Sequence, residues 1–128
     1  MRLLPFAAAA ALLASHAAAF AQGDPAKGEA VFKRCAVCHE VNKTKNKVGP
    51  HLVGIVGRKA GVVEDYKYSK SLMEKAAEGL VWDKEALDKY LEKPKALIPQ
   101  GKMAFAGLRN KADRDNVIAY LEKAGKAE

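Results

Sequence analysis

Cysteine and histidine are scarce in this 128-residue chain, which has two cysteines (Cys35, Cys38) and three histidines, of which only His39 and His51 lie beyond the first twenty-one residues. That scarcity argues against a zinc site. Four ligands would have to include Cys38 and His39, adjacent residues that fit poorly into one tetrahedron, and no second Cys or His pair follows at finger spacing. A thioredoxin-like dithiol needs a neighbouring βαβ pattern, and no such alternation of strands is present. Strand-period runs longer than a few residues, internal repeats and low-complexity tails are also missing. After the first segment no apolar run is long enough to span a membrane. Acidic residues are outnumbered, 15 against 22 Lys and Arg, for a net charge of +7, which suggests acidic partners and says little about fold.

Residues 1–21 read as a signal peptide. Arg2 is a minimal basic start, Leu3 to Ala14 is rich in Ala and Leu, and Ala19-Phe20-Ala21 supplies the small residues of a cleavage site. Cleavage after Ala19 also satisfies the small-x-small rule. A retained anchor is the weaker reading, because Ser15 and His16 interrupt a run that falls short of ~18 apolar residues. Residues 22–128 then form one small domain of about 107 residues with a modest core of its own. Removing Arg2 would leave a charge of about +6.

Within that domain, Cys35-Ala36-Val37-Cys38-His39 is the decisive feature. Positions i and i+3 of one helical turn share a face, so both sulfurs can add to the two vinyl groups along one edge of a porphyrin. The following imidazole is then held beneath the iron as an axial ligand. The cofactor expected is one covalent haem c, on Cys35 and Cys38 with His39 on the metal. A large flat porphyrin also accounts for the few aromatics of the mature chain, since it fills apolar interior itself. Thioether formation would further remove both thiols from oxidation in an exporting compartment.

Helix punctuation is clear elsewhere. Asp24-Pro25 starts a helix in which Gly28, Val31, Phe32 and Cys35 fall at helical spacing, so the haem cysteines are expected to end it on its buried side. Asn42 to Gly61, with four glycines and Pro50, is a long irregular connection of the kind that wraps something. Ser71-Leu72-Met73-Glu74 reads as a capping box opening a short helix that Gly79 closes. Asp83 begins a helix with an Ala86, Leu87, Tyr90, Leu91 stripe, and Pro94 ends it. Asn110 caps a last helix carrying Val117, Tyr120, Leu121 and Ala124 before Gly125. The fold class expected is all-α, with about four to five helices and long loops.

A second axial ligand must come from Met73, Met103 or His51. Met73 sits among Leu72, Ala76, Ala77 and Leu80, where core packing explains it. Met103 lies in Pro99-Gln100-Gly101-Lys102-Met103-Ala104-Phe105, which has no helical period and gives a lone thioether no packing role. It is the expected ligand, with His51, after Gly49-Pro50, as the alternative.

These pieces in this order resemble the class I c-type cytochromes, of the soluble exported bacterial kind related to the mitochondrial carrier. The likeness runs over the whole mature chain: Gly28 to Phe32, Cys35-x-x-Cys38-His39, Val48-Gly49-Pro50, Gly57-Arg58-Lys59-x-Gly61, Tyr66-x-Tyr68, Gly79-Leu80-x-Trp82, Tyr90-Leu91-x-x-Pro94, Pro99-x-x-Lys102-Met103-x-Phe105 and Val117 to Leu121. It implies that the Pro50 carbonyl takes the free N–H of the His39 imidazole. It further implies that Arg58, Tyr68 and Trp82 hydrogen-bond a haem propionate, that Tyr90 lies near the methionine sulfur, and that Gly28, Phe32, Val117 and Tyr120 join the first and last helices. Gly101 departs from the pattern, standing where many relatives carry a hydroxyl near the propionates. The segment from Tyr68 to Trp82 also looks longer than in compact relatives.

Haem iron with both axial positions filled has no open site for substrate, so the implied function is a periplasmic single-haem electron carrier and not an enzyme. The alternative is a gas or peroxide site with a labile sixth ligand. Expected partners are acidic redox proteins, such as a quinol-oxidising complex, terminal oxidase, reaction centre or dehydrogenase. Nucleic acid, stable membrane insertion of the mature chain and oligomers are not expected. Lys33, Arg34, Lys43, Lys45 and Lys47 near the attachment motif, with Lys93, Lys95 and Lys102 near Met103, would form a positive ring for docking.

Overall fold

Five helices and one minimal two-stranded pairing make up the fold in a computed structural model, which describes Leu3, Ala10, Ala11 and residues 22–126. Apart from those three residues, the stretch read as a signal peptide lies outside the described part. Helix α1, Pro25–Phe32, starts as its sequence dictates: Asp24 Oδ1 accepts from the Ala26 N–H at 2.9 Å, and Pro25 occupies the first turn. The expectation that the cysteines end this helix is corrected. Helix α1 stops at Phe32, where Arg34 and Cys35 N–H groups bond three residues back, to Val31 O and Phe32 O, and tighten the ladder. Cys35 through His39 then form a turn of their own, with the Cys38 and His39 N–H groups both donating to Cys35 O at 3.0 and 2.9 Å.

Strand β1 (Arg58–Lys59) pairs antiparallel with β2 (Val81–Trp82), setting Arg58 opposite Trp82. Gly57 and Ala60 N–H groups extend the pairing to Trp82 O and Leu80 O. Two residues per strand are too few to leave a period in the sequence. Between them lies α2, Lys70–Ala77. Its cap is Ser69, whose Oγ accepts from the Leu72 N–H at 3.0 Å, and not Ser71, which sits inside the first turn. Gly79, at φ +93°, ends the segment as expected. Met73 is a second correction: it is 44% exposed rather than packed in the core. Leu72, Ala76 and Leu80 form the inward stripe at spacings of four, and Met73 lies one position off it.

Asp83 caps α3 (Lys84–Glu92), which buries Leu87 and packs Ala86, Tyr90 and Leu91 on the core. Pro94 does more than end α3, because it also opens the short α4, Pro94–Leu97. Asn110 caps α5 (Lys111–Ala124), which buries Val117, Ile118 and Leu121. Helices α1 and α5 are in near backbone contact at Gly28, where an added Cβ would collide with Asn116 O, and the Phe32 and Tyr120 rings pack at a tilt with centroids 5.2 Å apart. Helix α5 is tied to α3 by the buried Arg114, whose Nε donates to Asp88 at 2.8 Å and whose other nitrogens reach Leu108 O, Arg109 O and Glu92. This helical frame leaves the irregular segments 41–57 and 98–110 to build the site.

Candidate haem site

The turn at Cys35 to His39 brings the two thiols and the imidazole together, and the following loop is stitched onto it. Gly49 N–H donates to Cys38 O at 2.9 Å, Leu52 N–H to Glu40 O at 2.8 Å, and Lys47 Nζ to Ala36 O at 2.7 Å. His39 Nδ1 lies 2.7 Å from Pro50 O. A carbonyl only accepts, so Nδ1 carries the proton and Nε2 is left with a free lone pair, the form that ligates metal. Gly49 is required beside it, because a Cβ there would come within 2.3 Å of His39 Cε1. Burial pushes the His39 pKa down, and the charges of Arg58 and Lys47 push the same way against the raising effect of the Pro50 bond, so the ring stays neutral at physiological pH. Burial raises the Cys35 thiol, with Arg34 opposing. Cys35 and Cys38 form no disulfide with each other.

Arg58, Tyr68, Trp82 and Tyr90 are brought around this motif. The strand pairing puts Arg58 and Trp82 on one face, and the Trp82 and Tyr90 rings lie 4.8 Å apart. Tyr66 and Tyr68 meet edge to face at 4.9 Å, and Tyr66 O–H donates to Val48 O. Tyr90 Oη lies 4.0 Å from Met103 Sδ. Burial and then the nearby Tyr66 push the Tyr90 phenol up to about 12; burial, Tyr68 and then Cys38 raise Tyr66. Tyr66 thus lies close enough to both Cys38 and Tyr90 for their charges to bear on one another.

The residues fit a haem. Arg58 donates through one terminal nitrogen to His51 O and Val53 O, both at 3.0 Å, while its Nε is buried with no partner. A buried guanidinium N–H with no acceptor is costly unless an anion meets it, and a propionate supplies that acceptor. Tyr68 Oη accepts from the Val63 N–H, leaving its own O–H to donate nearby. Burial lowers the pKa of Arg58, with Tyr68 opposing.

His51, the alternative ligand, is engaged otherwise. Its Nδ1 accepts from the Val53 N–H at 3.2 Å, and its backbone N–H donates to Asn46 Oδ1 at 3.0 Å. Asn46 also donates to Glu64 O, so it clamps the loop that carries Pro50, a role nothing in its local sequence announces. All eight basic residues expected to ring the site, Lys33, Arg34, Lys43, Lys45, Lys47, Lys93, Lys95 and Lys102, are exposed. Lys47 is bound to Ala36 O and lies 3.8 Å from Glu40, and Lys102 donates to Lys67 O at 2.6 Å. Val37 and Val48, 73% and 78% exposed, add apolar surface beside the motif.

A sequence model of the cytochrome c family matches residues 25–125. Over 94% of this chain and 95% of its own, a cytochrome c2 of Rhodomicrobium vannielii is 48% identical. A cytochrome c2 of Agrobacterium tumefaciens is 52% identical over 78% of this chain and 91% of its own, and a cytochrome c-550 of Ancylobacter novellus 50% identical over 77% and 92%. The chain thus belongs to the cytochrome c family, as a class I c-type cytochrome with one covalently attached haem c.

Proposed function

We propose that Cys35 and Cys38 hold the haem by thioethers, that His39 and Met103 are its axial ligands, and that the chain carries single electrons without acting as an enzyme. When bound, the haem supplies reversible one-electron exchange at its iron. The chain does the rest. Each thiol adds across a vinyl group, which uses the thiol proton and needs no oxidant. Pro50 orients the imidazole, and Arg58, Tyr68 and Trp82 present donors and apolar surface where a carboxylate is to be buried. Tyr90 sits against the Met103 sulfur. With His39 and Met103 holding the iron, no position would be left open for substrate, and the Met103 thioether would favour the reduced state.

The observation that carries this reading is the separate support of the two ligands, His39 Nδ1 on Pro50 O at 2.7 Å and Met103 Sδ beside Tyr90 Oη at 4.0 Å. We further propose export to the periplasm with cleavage after Ala21, and docking of acidic redox proteins by the exposed Lys33, Arg34, Lys43, Lys45, Lys47, Lys93, Lys95 and Lys102. Among the described residues no helix is long and apolar enough to cross a membrane. Intact mass of the denatured exported protein tests the attachment: one added haem on a chain beginning at Gln22 is expected, and the mass of bare polypeptide would rule it out.

A further inference from the structure

The stretch from Pro99 to Phe105 has one turn hydrogen bond of its own, Gly101 N–H to Ile98 O at 3.1 Å, and is rooted by Ile98, which is 1% exposed. Phe105 packs on the core at the far end of the stretch, and among the described residues three side-chain hydrogen bonds tie it to the rest of the chain. Tyr90 Oη meets Met103 Sδ, Lys102 Nζ donates to Lys67 O at 2.6 Å, and Gln100 N–H donates to Ser71 Oγ at 3.2 Å. Two of these reach the chain between Lys67 and Ser71, at the entry to α2, and they flank Gly101 on both sides. Gly101 has no side chain with which to form a tie, and a Cβ there would approach Ile98 Cγ2 to 3.0 Å, against the buried anchor of the loop. Ser71 is well placed to substitute. It stands on a turn already fixed by Ser69, which accepts the Leu72 N–H at its Oγ and the Met73 N–H at its carbonyl.

We infer that Ser71 is a positioning residue for the sixth ligand: its hydroxyl holds the Gln100 backbone and keeps the Met103 loop closed, a task the loop cannot perform at Gly101. The inference rests on Met103 as the ligand. A backbone amide that loses its acceptor in a partly exposed loop gives up a hydrogen bond of ordinary strength.

The test is imidazole binding to the ferric haem-loaded protein, because imidazole must displace the thioether and so reads how firmly the loop is held. Ser71→Ala should tighten imidazole binding about threefold to tenfold, and Ser71→Thr, which keeps the hydroxyl, should bind it like the unmodified protein. Asn116→Ala removes the acceptor for the Asp24 N–H at the far end of α1; it should lower stability without changing imidazole affinity. Met103→Ala should bind imidazole most tightly of all. Unchanged affinity in Ser71→Ala beside a tightened Met103→Ala would overturn the inference and leave the ligand assignment standing. Equal tightening in Ser71→Ala and Asn116→Ala, or no rescue by threonine, would overturn it as general loosening. No change in Met103→Ala would remove the ligand assignment and the inference together.

Discussion

At the scale of single residues, the site separates into side chains recognisable from their spacing and side chains that only the folded chain identifies. Cys35, Cys38 and His39 are legible because their spacing is itself the chemistry. Met103 stands out because no packing period explains it, whereas Met73, assigned to the core, is turned outward by one step of helical register. Asn46, Ser69 and Ser71 act through hydrogen bonds to backbone up to 29 residues away, and no local pattern encodes such partners. Three substitutions test this layer. Gly49→Ala drives a methyl into the His39 ring and should cut the haem-to-protein ratio of the purified protein several-fold, measured by absorbance. Met103→Ala should lower the reduction potential by a sizeable part of the ~0.8 V that axial ligation commands, while His51→Ala should leave it nearly unchanged in the same titration.

At the scale of elements, the helices with capped starts were readable and the exceptions have local causes. Asp24, Asp83 and Asn110 each accept an N–H from the turn they open. The first helix ends before the cysteines because i−3 bonds at Arg34 and Cys35 break into the α ladder, a change that helical spacing alone does not register. Contacts between helices left less trace. Gly28 can be read as a close approach, but Arg114 looks like an ordinary surface charge until its burial against Asp88 is seen. Gly28→Ala should cost about 1–3 kcal/mol or more in denaturant unfolding, since the added methyl meets α5 backbone. Burial works against the Asp88 carboxylate, but the hydrogen bonds from Arg114 and Lys111 outweigh it and hold its pKa below the usual 3.8. A group depressed on folding stabilises the native state above its unfolded pKa and loses that contribution as pH falls through the folded value. Asp88→Asn should therefore destabilise by about 1–3 kcal/mol at neutral pH, with the difference from the unmodified protein shrinking below about pH 4 in pH-dependent unfolding.

At the scale of the whole molecule, the uneven pairing of charge bears on function. On the α3 and α5 face, Lys84 and Lys111 are paired with Glu122, Asp88 and Asp115. Lys33, Arg34, Lys43 and Lys45, beside the attachment motif, form no ion pair among the described residues. Electron transfer to an acidic partner should slow as salt rises, and Lys43→Glu should slow it more at low salt than Lys126→Glu, in stopped-flow measurements. Equal effects would assign the charge to general surface and docking to Val37 and Val48. The coordination of the iron decides between a carrier and a ligand-binding protein, and the visible spectrum of the ferrous protein under carbon monoxide reads it directly. At neutral pH the spectrum should be the same with and without the gas, and only Met103→Ala should respond. A shift in the unmodified protein would mean that the sixth position is open, and would contradict a haem closed on both faces by His39 and Met103.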